Sequence, residues 1–397
     1  MAAPLRTIGG TFLLVAIMSI ALACATATQP APASTPASPG PAAASPAAKA
    51  ATKPAASPDW KVEWDKIVAA AKKEGKVVVA GRTGDAPRQA ALAFEKAYPE
   101  IKLEWTGVSG STFSPRIIQE RQAGAYNWDV HLGGAMSMID FLVPVGALDP
   151  LKPALILPEV VDNSKWRGGY DIWWRDAEKR SIIGFEATLA SSILVNREFV
   201  SEAELKNHDQ LLEPQWKDKI ASIDLSRQGS AGAAGAWFLK TKGEAWFRKF
   251  LAQVVVKADE RQVVESAIRG IQPVVVQLPP AAFAPFQQQG LTKGFEALDP
   301  GAPVAQWLGS GAGHMGLINK APNPNAAKVF VNWMLSREGQ QAYTNATGAS
   351  SARLDVEGGD PMTRPERNVN YPVYDALEME QFAQRAYAIA KEVLASR

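Results

Sequence analysis

Cysteine is almost absent: the 397-residue chain has one, Cys24, so no intramolecular disulfide can staple the fold. Histidine is nearly as scarce. His131, His208 and His314 are scattered without metal-ligand spacing, so no zinc site of Cys and His ligands is expected. An excess of charge is missing too. Lys and Arg total 42 against 40 Asp and Glu, a net +2, which leaves no chain-wide field to draw the protein onto nucleic acid. No Gly-x-Ser-x-Gly elbow and no phosphate-binding loop ending in Gly-Lys-Ser/Thr occurs, so no catalytic nucleophile and base can be read. Gly311-x-Gly313-x-x-Gly316 has dinucleotide spacing only; no strand precedes it and no helix follows closely, so it lacks the required context. No cofactor is expected.

A long apolar run is also lacking. Thr11 to Ala23, broken at Ser19, falls short of the about 20 residues that span a bilayer. Following Arg6, it fits the apolar region of a secretory signal. It ends in Ile20-Ala21-Leu22-Ala23-Cys24, which resembles a bacterial lipobox, with Ala21 where Leu, Val or Ile is usual. Residues 1–24 are therefore read as a lipoprotein signal peptide and Cys24 as the lipidated residue, the chain's contact with the membrane. Residues 25–58 are almost only Ala, Pro, Ser and Thr and cannot bury a core; a disordered tether is expected.

What is present beyond residue 58 is a repeating alternation. Trp64, Ile67, Val68 and Ala71 mark an amphipathic helix that ends at Gly75. Lys76 to Ala80 reads as a buried strand, and a helix is expected from about Pro87 to Tyr98. Ile101, Leu103 and Trp105 alternate as a strand; Ser114 is placed to cap the next helix, and Asp129 to Leu132 is a third strand. A second set follows Gly184: strands at Ser192–Asn196, Ile220–Leu225 and Val274–Leu278, and a helix at Gly243–Val254. Gly313–Ile318 reads as a strand, Asn325 as a helix cap, and Glu378–Ala395 as a final helix. Strand–helix alternation implies mostly parallel sheets covered on both faces.

Taken in order, several stretches resemble the extracellular solute-binding proteins of ABC importers, with the type II periplasmic binding fold, in the ferric-iron, thiamine and polyamine-like branch. They are Ala71-Lys72-Lys73-Glu74-Gly75-Lys76-Val77-Val78-Val79, Phe94-Glu95-Lys96-Ala97-Tyr98-Pro99 followed by Ile101, Ala123-Gly124 with Trp128-Asp129-Val130, Leu211 to Ile220, and Lys320 to Lys328 running on to Ser336 to Gln341. The resemblance implies two lobes, each a mostly parallel sheet flanked by helices, hinged by crossing strands. Lobe 1 is expected at 59–184 and 291–350, lobe 2 at 185–290, and a helical segment packing on both at 351–397. It also implies a small-molecule solute and an ABC permease as partners, a monomer, an exported location anchored by lipid, and no enzyme activity. Iron-binding members carry adjacent tyrosines just after the strand matching Val274–Leu278; here Pro279-Pro280-Ala281 stands there. Ferric iron wants anionic oxygen ligands, so an organic or oxyanionic solute is expected instead.

In open α/β sheets ligands sit at the carboxyl ends of strands. The candidate ligand-binding residues are therefore Arg82, Thr83, Ser109, Ser111, Thr112, Gly134 and Met136 in the first lobe. Ser226, Arg227, Ser230 and Gln277 come from the second, and Glu186 from the first crossing. The arginines suit a carboxylate or other anion; each also reads as a solvated surface charge, and each Ser or Thr as a helix cap. Two other classes stay open: a secreted enzyme using Glu186 as an acid–base group, and a sensor that presents bound solute to a membrane receptor.

Overall fold

Short Val-rich runs separated by amphipathic segments build the body of the molecule. The computed structural model describes residues 59–396 apart from 191, 228, 302–305, 362 and 375; the expected signal peptide, the tether and Cys24 lie outside the described residues. Helix α1 (Trp60–Glu74), strand β1 (Lys76–Gly81), helix α2 (Asp85–Ala97), strand β2 (Lys102–Gly107), helix α3 (Gly110–Gln122) and strand β3 (Val130–Gly133) come first. Helix α4 (Ala135–Ser137), strand β4 (Leu148–Asp149), helix α5 (Pro158–Val161) and strands β5 (Ile183–Gly184), β6 (Thr188–Ala190) and β7 (Ile193–Asn196) follow. Then come β8 (Ile220–Ser222), α6 (Ser230–Lys242), α7 (Glu244–Leu251), β9 (Val254–Val256), α8 (Glu260–Ile268), β10 (Val274–Val276), α9 (Pro280–Gln287) and β11 (Phe295–Ala297). The chain ends with β12 (Trp307–Gly309), β13 (His314–Ile318), α10 (Pro324–Leu335), α11 (Arg337–Thr347) and α12 (Ala376–Ala395).

One sheet has the order β2-β1-β3-β13-β4, with β5 also on β13, and a second has the order β11-β7-β10-β8-β9. These are the two lobes. β6 and β12 pair antiparallel between them as a two-stranded sheet. The expected parallel set forms one side of each sheet: β2-β1-β3 in the first, β10-β8-β9 in the second. Antiparallel strands continue the sheet on the other side, because β13 and β7 enter from the other lobe and must run back. β11 lies beyond residue 290, yet it pairs with β7, so the second sheet extends further along the chain than the expected return at 291. A third crossing runs beside β12, where Leu308 donates to Pro372 O and Tyr374 N–H donates to Leu308 O, each at 2.8 Å. It delivers α12 onto the second lobe, tied there by Arg248–Glu392 and Arg385–Glu244 ion pairs.

Local details follow from side-chain chemistry. Gly75 takes φ +74, so its N–H reaches Ala71 O and ends α1. Ser109, not Ser114, caps α3; Ser114 is buried within that helix and donates to Ser137 O. The helix expected across Gly243–Val254 stops at Leu251, and Val254-Val255-Val256 becomes an edge strand, as a β-branched triplet prefers a pleated surface. Asn323, not Asn325, precedes α10; the Asn325 side chain and the Ala326 N–H donate to Glu74, whose carboxylate covers the free donors of that helix start. Asp129 is fully buried, raised by burial above the ordinary carboxyl range, and accepts from Val78 N at 2.7 Å and Asn323 N at 2.8 Å, locking β1, β3 and the lead-in to α10 together. Phe94 packs edge-on against Phe330 and Trp333 in the first core, and Trp173 and Trp174 are core residues as well.

All three histidines are buried. Burial pushes His131 down to about 4 and His208 and His314 down to about 3. Below the ordinary histidine pKa of about 6.5, the unfolded chain takes up protons that the folded chain refuses. The stability these groups contribute is full above that value and is lost as pH falls toward 4 and 3. Three such protons give a slope of up to ~4 kcal/mol per pH unit near pH 5. Denaturant melts at pH 7, 6 and 5 check this; His131→Phe, which keeps the stack on Phe113, is expected to flatten the slope by about a third.

Candidate functional site

The parallel strands β1, β2 and β3 put their carboxyl ends side by side, and Arg82 is the first residue after β1. Glu186 lies between β5 and β6, where the chain first crosses between lobes, and Tyr343 projects from α11. The three close a triangle. Arg82 Nη1 donates to Glu186 Oε1 at 2.7 Å and to Tyr343 Oη at 2.8 Å, and Tyr343 donates its hydroxyl to Glu186 Oε1 at 2.7 Å. The Glu186 side chain is 6% exposed and that of Arg82 33%. Burial lifts the Glu186 carboxyl above its ordinary value, offset in part by the two donors. Burial works against the Arg82 cation, but Glu186 and Tyr343 outweigh it and raise its pKa. Both bonds use Nη1, so Nε and Nη2 of Arg82 have no partner among the described residues. The carboxylate and phenol thus aim a guanidinium whose remaining fork is available to an oxyanion.

The Gly311-x-Gly313 pair finds its role here. A Cβ on Gly313 would lie 2.2 Å from Glu186 Cγ, and one on Gly311 (φ +50) 3.3 Å from Glu186 Oε2. The bare backbone of this turn wraps the buried carboxylate. Beside it, Arg175 donates to Ile172 O and Ser310 Oγ and lies over the Trp173 ring. His314 pairs in register with Gly133 at the end of β3; burial, then the Arg175 charge, keep it neutral.

The other sequence candidates fall in two further groups. Thr83 is exposed on the loop after Arg82. Ser109 and Thr112 bond to each other at 2.9 Å in the first turn of α3, and the Ser111 side chain lies outside the described residues. Gly134 and Met136 are half-buried at the start of α4. In the second lobe, Ser226 N–H donates to Asp224 and Arg227 pairs with the same carboxylate at 3.2 Å, with 82% of its side chain exposed. Ser226 lines a groove of about 570 Å3 with Asp218, Lys391 and Leu394. Ser230 opens α6, and Gln277 holds a buried Oε1 with no partner. Among the described residues no hydrogen bond or ion pair joins this second-lobe set to Arg82. Tyr343 was invisible from sequence, since nothing local distinguishes a core tyrosine from a partner of Glu186. So was Tyr387 of α12, whose ring lies 2.7 Å from where a Cβ on Gly232 would stand, beside the loop carrying Arg227. After β10, α9 begins with Pro280 at its first position. Among the described residues no group of three or more His, Cys, Asp or Glu is placed to hold a metal ion.

Two α/β lobes joined by crossing strands, with polar side chains gathered at strand ends, define a two-lobed binding protein of the type II periplasmic class. A family model described as bacterial extracellular solute-binding protein matches residues 80–341, and the chain belongs to that family. FutA (IdiA) of Trichodesmium, in complex with iron and citrate, is similar with a TM-score of 0.63 at 17% identity, covering 80% of this chain and 99% of that one. The Bordetella ferric binding protein gives 0.61 at 18%, covering 80% and 98%. Iron-bound HitA from Pseudomonas aeruginosa gives 0.58 at 18%, covering 80% and 99%. At these identities the likeness establishes the fold. No curated protein matches the chain in sequence. No helix among the described residues is long and apolar enough to cross a membrane.

The packing of Gly313 on Glu186 can be measured. Gly313→Ala is expected to destabilise the protein by ~1–3 kcal/mol through overpacking. In a double-mutant cycle, Glu186→Ala should absorb much of that loss. Strict additivity in denaturant melts would show that Gly313 makes room for some other group.

Proposed function

We propose that this chain is the lipid-anchored, exported solute-binding component of an ABC-type importer, acting as a monomer that captures a small anionic organic solute by hinge closure and presents it to a membrane permease. The observation that carries the anionic reading is Arg82. It is oriented by Glu186 and Tyr343, part-exposed at the strand ends, and left with Nε and Nη2 free of protein partners among the described residues. Arg227, exposed on the second lobe, would close over the solute from the other side, and the unpartnered Gln277 Oε1 would accept from a solute hydroxyl or ammonium. Thr83, Ser109, Ser111, Thr112, Gly134, Met136, Ser226 and Ser230 complete the proposed lining. Binding stabilises the closed form only through contacts absent from the open one. The one carboxylate of the set, Glu186, is engaged by Arg82 and Tyr343, which favours a binder over an enzyme that would use it as a general base. Proline in place of the tyrosine pair argues for a solute other than tyrosinate-held iron.

Thermal melts with amino acids, polyamines, sugar acids, phosphonates and sulfonates test this. An acidic solute at a hundredfold excess over Kd should add about 2.7 kcal/mol. Arg82→Ala should weaken binding at least tenfold and Arg227→Ala less, since its charge is already water-screened. Preference for polyamines, or Arg82→Ala with unchanged affinity, would remove the anionic reading. For the anchor, Cys24→Ser should move the protein from the membrane fraction to the soluble one; retention in the membrane would count against lipidation at Cys24.

A further inference from the structure

Beyond the end of the family match, the chain after α11 loops back over the first lobe and lines an open cavity of about 550 Å3 with Arg167, Arg353, Arg364 and Arg367 in its wall. Two of these arginines are buried, and they are satisfied very differently. Arg353 is paired with Asp355 at 2.8 Å and Glu159 at 3.2 Å and donates to the carbonyls of Glu159 and Leu335. Arg167, 9% exposed, has no carboxylate among the described residues. Its guanidinium donates only to main-chain carbonyls, Glu366 O at 2.6 Å and, more distantly, Arg367 O and Pro365 O at 3.5 Å. Its Nε is buried without a partner, and so is the hydroxyl of Ser350 in the same wall. A buried cation without a counter-charge is strongly unfavourable. Arg367 aggravates it from nearby, and Arg364 adds a further exposed guanidinium without an ion-pair partner among the described residues. The carboxylates of Glu357 and Glu366 are exposed at the rim; Glu357 serves Arg367 and Glu366 offers Arg167 only its carbonyl.

We propose that this cavity is a second ligand site, distinct from the Arg82 group, that takes a small oxyanion, phosphate-like or carboxylate, as the missing counter-charge of Arg167, with Arg364 and Arg367 closing on it from the rim. Guanidinium groups recognise such ligands through paired, charge-assisted hydrogen bonds. The same loop carries Asp360, which accepts from Gln287 of α9 on the second lobe at 2.9 Å. Occupancy therefore also steadies a segment that ties the two lobes together.

The test is calorimetric titration of the full chain with inorganic phosphate, sulfate and citrate at constant ionic strength. Binding of at least one of these is expected, weakened at least tenfold by Arg364→Ala/Arg367→Ala, a pair of exposed residues whose loss spares the fold. Arg167→Lys, which keeps the charge but not the fork, should also weaken it, and in the Arg82→Ala chain the Arg364- and Arg367-dependent binding should persist. No binding of any of the three anions overturns the proposal, as does binding that survives the Arg364/Arg367 double variant. Loss of binding in the Arg82→Ala chain would overturn it too, by assigning the anion to the interlobe site.

Discussion

A carboxylate buried at the point where the chain first leaves one lobe for the other sets the terms for the rest of the molecule. Glu186 cannot sit there alone, since an unpaired buried charge is unfavourable by several kcal/mol. Its partners come from three places far apart in sequence: the loop after β1, helix α11, and a glycine turn that leads into β13. Meeting that one electrostatic demand forces the loop after β1, the crossing strand and the end of the first-lobe sheet into a fixed relation. Arg82 is aimed as a result, so the candidate binding group is a by-product of satisfying a buried charge.

The same logic recurs across the fold. Asp129 joins β1, β3 and the entry to α10 through backbone donors, and Glu74 covers the start of α10. Such contacts add modestly to stability, but removing one partner leaves a buried group unsatisfied, and that asymmetry gives them authority over geometry. Arg353 follows the rule and Arg167 breaks it. Between the lobes, three chain segments run side by side, and the stacked pair Trp237–Trp307 at 4.4 Å sits against them with α12. A junction of short strands and packed rings suits a motion that turns two rigid bodies and leaves both cores intact.

The order of the first-lobe elements was legible because Val-rich runs and amphipathic helices alternate with glycines at the joints, and hydrophobic periodicity reports burial directly. Other boundaries slipped for a reason. Val254–Val256 continues a helical pattern on paper, and only the vacant edge beside β8 makes it a strand. β11 joined the second sheet because β7 offered an unpaired edge, which no local pattern can express. In the candidate site, Arg82 and Glu186 were legible as residues after a strand and at a crossing. Their contact with each other, and with Tyr343, was not.

By itself the sequence determined the order of most strands and helices and, with its one cysteine, the absence of an intramolecular disulfide. Those properties depend on neighbours within a few residues, through periodicity, capping and composition. Only the tertiary structure decided which charges are paired, that Gly311 and Gly313 make room for the Glu186 carboxylate, and that Arg167 has no counter-ion among the described residues. The contacts that matter most here, Arg82 and Tyr343 with Glu186 and Arg167 with the 365–367 carbonyls, join residues more than a hundred positions apart, and electrostatic satisfaction exists only once the chain has brought such groups into the same dry space.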